Sequence, residues 1–139
     1  DPRAVLYSMY RKARRAGVRF SGIKPLLAWT ASNLVTWWLG RPGGNRYQVL
    51  VYEDLAEAAD EQFGRLQSRF GLDMTPALEA LHNQTPLDPG FQVNGNRMSR
   101  NEGIVFRYDN AWRREAPVWL RWIGACALPI YWFLARRAI

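Results

Sequence analysis

The chain has 139 residues, 48% of them hydrophobic, and a formal net charge of +7. That is enough apolar chain for one domain with a core, and too much for a disordered segment. A single cysteine, Cys126, and a single histidine, His82, exclude an internal disulfide framework, a cysteine-based metal cluster and a histidine-rich metal site, while the positive charge points to an anionic partner.

The charge is unevenly placed. Before Glu53 the only acid is Asp1, against nine Lys and Arg. Acids outnumber bases from Leu55 to Gly90, and the chain turns basic again from Phe91. Two basic regions on either side of an acidic helix are able to converge on one anion.

Taken in order, the chain opens on a helix expected over Arg3–Arg15. Asp1 suits its cap and Pro2 its first position, where the missing N–H has no partner to lose. Val5, Met9 and Ala13 recur at helical spacing and predict the apolar face. Ser8, Arg11, Lys12 and Arg15 share the other side. A hydroxyl among cations near a helix start can seat a phosphate, although on this stretch alone a solvated basic face is the simpler reading. A helix opening at the first residues also suggests a sequence that starts partway into a larger domain.

Gly17 is the expected stop. Gly22–Leu39 reads as a second helix whose apolar residues, among them Trp29, Trp37 and Trp38, are too dense for one narrow stripe, so it is buried or offers an apolar surface. Arg41–Asn45 is a turn. Tyr47–Tyr52, YQVLVY, is the best strand signal, apolar on both faces as a buried parallel strand would be. Leu55–Phe70 follows as one amphipathic helix closed by Gly71. Strand, acidic turn and helix together predict an α/β unit.

Thr75 is expected to cap a short helix to about Leu81, and Asn83–Gly103 is a long polar loop of the kind that is usually functional or disordered. Ile104–Phe106 is a short strand candidate, and Asn110–Glu115 begins another helix. Val118–Ala135 is the most hydrophobic run. Arg121 interrupts it, and the uncharged part from Trp122 is shorter than the roughly 20 residues a bilayer needs. A packed terminal helix is the expectation. The alternative is an interfacial helix with Trp119, Trp122 and Trp132 at head-group level.

Three separated stretches resemble one family. Asp1-Pro2-Arg3 with Ser8 is similar to the 3′-phosphate-binding segment of sulfotransferases that use PAPS (3′-phosphoadenosine 5′-phosphosulfate). Val51-Tyr52-Glu53-Asp54-Leu55 resembles that family's Tyr-Glu-Asp-Leu segment. Val93-Asn94-Gly95-Asn96-Arg97, followed by Asp109 and Trp112, resembles the late loop of its carbohydrate-type and bacterial members. The resemblance spans residues 1–112. It implies that Ser8 bonds the 3′-phosphate, that Tyr52 lies near the adenine, and that Gly95, Asn96 and Arg97 close on the 3′-phosphate side.

The resemblance further implies a single partial domain over 1–139, the helix-rich C-terminal portion of a P-loop-like α/β fold with 47–52 as its central parallel strand. The arginine before the Asp-Pro-Arg segment, the Gly-rich 5′-phosphosulfate loop and the catalytic base would all lie upstream. The parent enzyme would transfer a sulfuryl group from PAPS to a hydroxyl acceptor, a carbohydrate or small molecule, in a cytoplasmic setting with the Golgi lumen as the alternative. No nucleic acid is expected as partner, and peripheral membrane contact is allowed through the C-terminal helix. His82 is the only base candidate in the chain and lies outside every family motif; a surface histidine is expected. Glu53 and Asp54 are expected to cap the next helix or pair with an arginine. The competing reading is a non-enzymatic basic helical module that binds a membrane surface or nucleic acid.

Overall fold

In a computed structural model of the chain, the described residues are 1–40, 42, 47–86 and 109–136. Eight helices run through them: α1 Pro2–Arg15, α2 Ile23–Gly40, α3 Tyr52–Glu57, α4 Ala59–Phe70, α5 Thr75–His82, α6 Trp112–Glu115, α7 Val118–Ala125 and α8 Leu128–Ala135. Among the described residues 72% are helical and none is in a strand. The expected α/β fold with a central parallel strand at 47–52 is therefore corrected.

The physical reason lies in what YQVLVY can pair with. A strand needs partners for its backbone N–H and C=O groups, and among the described residues no second strand provides them. The apolar side chains find another use. Val51 is buried, and Val49 lines a groove of about 140 Å³ with Leu134 of α8 and Ser32, Asn33 and Thr36 of α2. Tyr52 already begins a helix.

The chain divides into two units, residues 1–53 with 109–139, and residues 54–108. The first is built on α1. Asp1 caps it by accepting from the Arg3 N–H at 2.8 Å, and Pro2 sits in its first turn. Gly17 ends it in the left-handed conformation, at φ +67°. The buried face is not the predicted Val5–Met9–Ala13 stripe: Met9 is exposed, and Pro2, Leu6 and Tyr7 point inward. Leu6, Tyr7, Trp112, Ala116 and Leu120 form the core, with Tyr10, Phe20, Leu26 and Ile123 half-buried around it.

Val118–Ala135 is two helices rather than one, bent by 54°. Pro129 has no N–H for the Ala125 carbonyl and its ring would collide with that turn. The chain tightens instead, with Cys126 N–H bonding Ile123 O at 3.2 Å and Ala127 N–H bonding Gly124 O at 3.1 Å.

In the second unit, the helix expected over Leu55–Phe70 breaks at Ala58, whose φ of −137° and ψ of 52° are not helical. The break sacrifices little, because Ala58 N–H still reaches Asp54 O at 2.8 Å and Gln62 N–H reaches Ala58 O at 3.0 Å. Gly71 closes α4 at φ +66°, as expected. Thr75 is the first residue of α5 and not its cap. Asp73 takes the capping role by accepting from the Thr75 N–H at 3.0 Å, and bonds to Thr75 hold its carboxyl below the usual range. The strand candidate Ile104–Phe106 lies outside the described residues.

The close approach of α1 to α7 gives a direct test. A Cβ at Gly124 would sit 2.7 Å from Arg3 Cγ and 3.0 Å from Arg3 Cα. Part of that contact is backbone, so a rotamer change cannot relieve it. Gly124→Ala should lower stability in urea by about 1–3 kcal/mol, the usual cost of overpacking. An unchanged midpoint would show that the two helices do not meet this closely.

Candidate functional site

A cleft of about 240 Å³ opens in the first unit, lined by Ala4, Val5, Tyr7, Ser8 and Arg11 of α1 with Tyr52, Asp109 and Trp112. Ala4, Ser8 and Arg11 recur at intervals of four and three, the spacing that puts residues on one helix face. Of the basic side Ser8, Arg11, Lys12 and Arg15, only Ser8 and Arg11 reach the cleft. Tyr52 enters as the first residue of α3 and Trp112 as the first residue of α6. Asp109 lies just before α6 and accepts from the Ala111 N–H at 3.0 Å.

The cleft brings together Ser8 and Tyr52, two of the five residues assigned from the family resemblance, along with Asp109 and Trp112 from its third stretch. Gly95, Asn96 and Arg97 lie outside the described residues. Arg3, from the first stretch, serves as a brace. Its guanidinium holds the Asp1 carboxylate at 2.6 Å from Nη2 and 3.0 Å from Nε, and its Cζ stands 4.6 Å from the centre of the Trp112 ring. Trp112 is thus fixed from one side by a cation that is itself fixed to the helix cap.

Two residues give the site its electrostatics. Arg11 Cζ is 5.5 Å from the Tyr7 ring, and its Nη1 is 3.9 Å from Asp109 Oδ2. Both partners of that ion pair are well exposed, so it is worth at most about 1 kcal/mol and can be exchanged. Tyr7 is buried and donates to Glu115. That bond, then burial, then the charge on Glu115 push the Tyr7 hydroxyl above its ordinary pKa, against the opposing Arg11. Tyr7 was not singled out in the sequence. The signal was there in Tyr7 and Arg11, four residues apart, a spacing that lets ring and guanidinium meet on one side of a helix.

Among the described residues, the partners of Glu53 are not arginines. The Asp1 amino group donates to its Oε1 at 2.9 Å, and the Tyr131 hydroxyl to its Oε2 at 3.4 Å. Burial works against its charge, but these donors and its own backbone N–H outweigh burial and lower the pKa. Glu53, the second residue of α3, therefore anchors the stretch that carries Tyr52 to the start of α1. His82, in the second unit, is exposed and lies 3.1 Å from Asp60 Oδ2, an ordinary surface pair.

Comparison with family models, curated proteins and solved structures finds no match to the chain.

The Tyr7–Glu115 bond has a pH signature. The folded-state pKa of Tyr7 is raised, so its contribution to stability is fully present below the unfolded value of about 10 and is lost as pH rises through the folded value. Tyr7→Phe should cost about 0.5–1.5 kcal/mol at pH 7, the worth of a hydrogen bond whose acceptor is exposed. The gap between wild type and variant should narrow in urea titrations above about pH 10. A gap that stayed constant with pH would contradict the assignment.

Proposed function

We propose that the cleft between α1, Tyr52 and Trp112 seats the 3′-phosphorylated adenosine end of PAPS, and that the chain is part of a PAPS-dependent sulfotransferase acting on a hydroxyl acceptor. The observation that carries this reading is the convergence of Ser8, Tyr52, Asp109 and Trp112 on one cleft. These residues come from three separated parts of the chain on which the family resemblance rests. The reading rests on this cleft and not on a sheet.

The chemistry of the lining suits such a ligand in part. Ser8 offers a hydroxyl donor and Arg11 a guanidinium that can take a phosphate with two bonds. Tyr52, which is exposed, offers aromatic surface to a base, while the buried Trp112 forms part of the cleft wall. Asp109 opposes an anion, yet its hold on Arg11 is weak enough for a phosphate to displace it. The volume, about 240 Å³, falls below the roughly 300–1,000 Å³ of a full ligand pocket. It fits part of a nucleotide, which agrees with a chain that would hold the handle of PAPS while other groups align the sulfur. PAPS supplies the sulfuryl group; Ser8 and Arg11 orient the nucleotide through its phosphate.

Adenosine 3′,5′-bisphosphate is the probe, with adenosine 5′-monophosphate as control, by calorimetry. The bisphosphate should bind more tightly. Ser8→Ala should weaken it by about 0.5–3 kcal/mol, a factor of roughly 2 to 150. Asp109→Asn, which keeps an oxygen for the Ala111 N–H, should tighten it. Residues 1–139 incubated with labelled PAPS and mixed hydroxyl acceptors should transfer no label, because binding without alignment of the reacting group gives little catalysis. Equal affinity for the two nucleotides, or no response to Ser8→Ala, would refute the 3′-phosphate seat.

A further inference from the structure

A second feature of the first unit has nothing to do with the cleft. Helix α2 has 18 residues and buries none of them. Its exposed side chains include Ile23, Leu27, Val35, Trp38 and Leu39. A helix this long in a water-soluble domain ordinarily shows a polar face to solvent. The same holds for α7 and α8, where Trp122 is 72% exposed and Trp132 56% exposed, against 65% for Trp38. The surfaces are linked. Trp37 of α2 meets Phe133 of α8 edge-on, with ring centres 5.0 Å apart. Exposed Trp38 and Trp132 are the chain neighbours of that pair.

Charge says what covers this surface. From Ala16 to Tyr52, and again from Ala116 to the end, the sequence contains no Asp or Glu. The charges at the apolar helices are cations: Arg19 before α2, Lys24 in its first turn, Arg121 within α7, Arg136 after α8, all exposed. Apolar side chains rich in tryptophan, edged by cations and on helices that carry no Asp or Glu of their own, match the head-group zone of an anionic bilayer, where indole rings settle and basic residues meet lipid phosphates. No single described helix is long and apolar enough to cross a membrane; α7 and α8 reach that length and composition only as a pair bent by 54°. With Arg121 and Lys24 inside the helices, the geometry suits lying in the interface.

We propose that α2 and the bent pair α7–α8 form one docking surface for an anionic lipid bilayer, inserting Trp38, Trp122 and Trp132 to head-group depth. The docking surface is independent of the nucleotide seat, and neither stands or falls with the other.

The test is flotation of the chain with vesicles of phosphatidylcholine alone and of phosphatidylcholine with 30% phosphatidylglycerol. Partitioning should favour the anionic vesicles by roughly tenfold or more. Brominated lipid in the anionic vesicles should quench the tryptophan emission of the unaltered chain. Trp122→Glu and Trp132→Glu should each weaken binding by roughly tenfold or more, with helical circular dichroism retained, while Leu72→Glu in the second unit leaves it unchanged. Failure to float with either vesicle would overturn the proposal. So would unquenched tryptophan, or binding that survives both tryptophan variants and vanishes with salt, since that would be charge adsorption without insertion. A sedimenting dimer that shields the tryptophans and ignores vesicles would assign the surface to a second copy of the chain instead.

Discussion

The seating of α1 against α7 and α6 is the constraint on which the first unit depends. Leu6 and Leu120 are almost completely buried, and Gly124 lets α7 come within van der Waals range of Arg3. At that same point Arg3 turns back to Asp1 and stands against Trp112. One short stretch of α1 thus supplies the helix cap, the closest interhelical contact and the support of the cleft's largest aromatic ring. The geometry of the cleft follows from the packing, because Ser8 and Arg11 lie one and two turns further along the same rigid helix.

The cleft also needs residues from far along the chain, and two polar anchors hold these. Glu53 fixes the segment that delivers Tyr52 by binding the Asp1 amino group and Tyr131. The Tyr7–Glu115 bond ties α6, and with it Trp112, to α1. Both anchors join charged or strongly polar groups at the edge of the core, where a partner is needed to offset lost hydration. The Arg11–Asp109 pair is of a different kind, exposed and replaceable. The rigid pairs position the site while the loose one leaves its cation open to exchange.

Much of this was legible in the sequence. The start of α1, the glycine ends at Gly17 and Gly71 and the approximate extents of α2 and α5 follow from local chemistry, since caps and positive φ are decided by neighbouring residues. What was lost depended on distant partners. YQVLVY has the composition of a strand, but composition cannot supply the neighbouring strand that its backbone requires. The inward face of α1 was misread because Val5, Met9 and Ala13 are as regularly spaced as Pro2, Leu6 and Tyr10, and only the position of α7 chooses between them. The single helix expected at 118–135 ignored Pro129. Ser8 and Tyr52 do share a cleft, whereas Gly95, Asn96 and Arg97 lie outside the described residues.

The central claim, that α1 and the segment around Tyr52 build one nucleotide seat, is tested most directly by amide and indole chemical shifts of the isotope-labelled chain on titration with adenosine 3′,5′-bisphosphate. The account predicts saturable shifts confined to Ser8, Arg11, Tyr52 and the Trp112 indole and their immediate neighbours. Shifts centred elsewhere, or none at millimolar nucleotide, would contradict it.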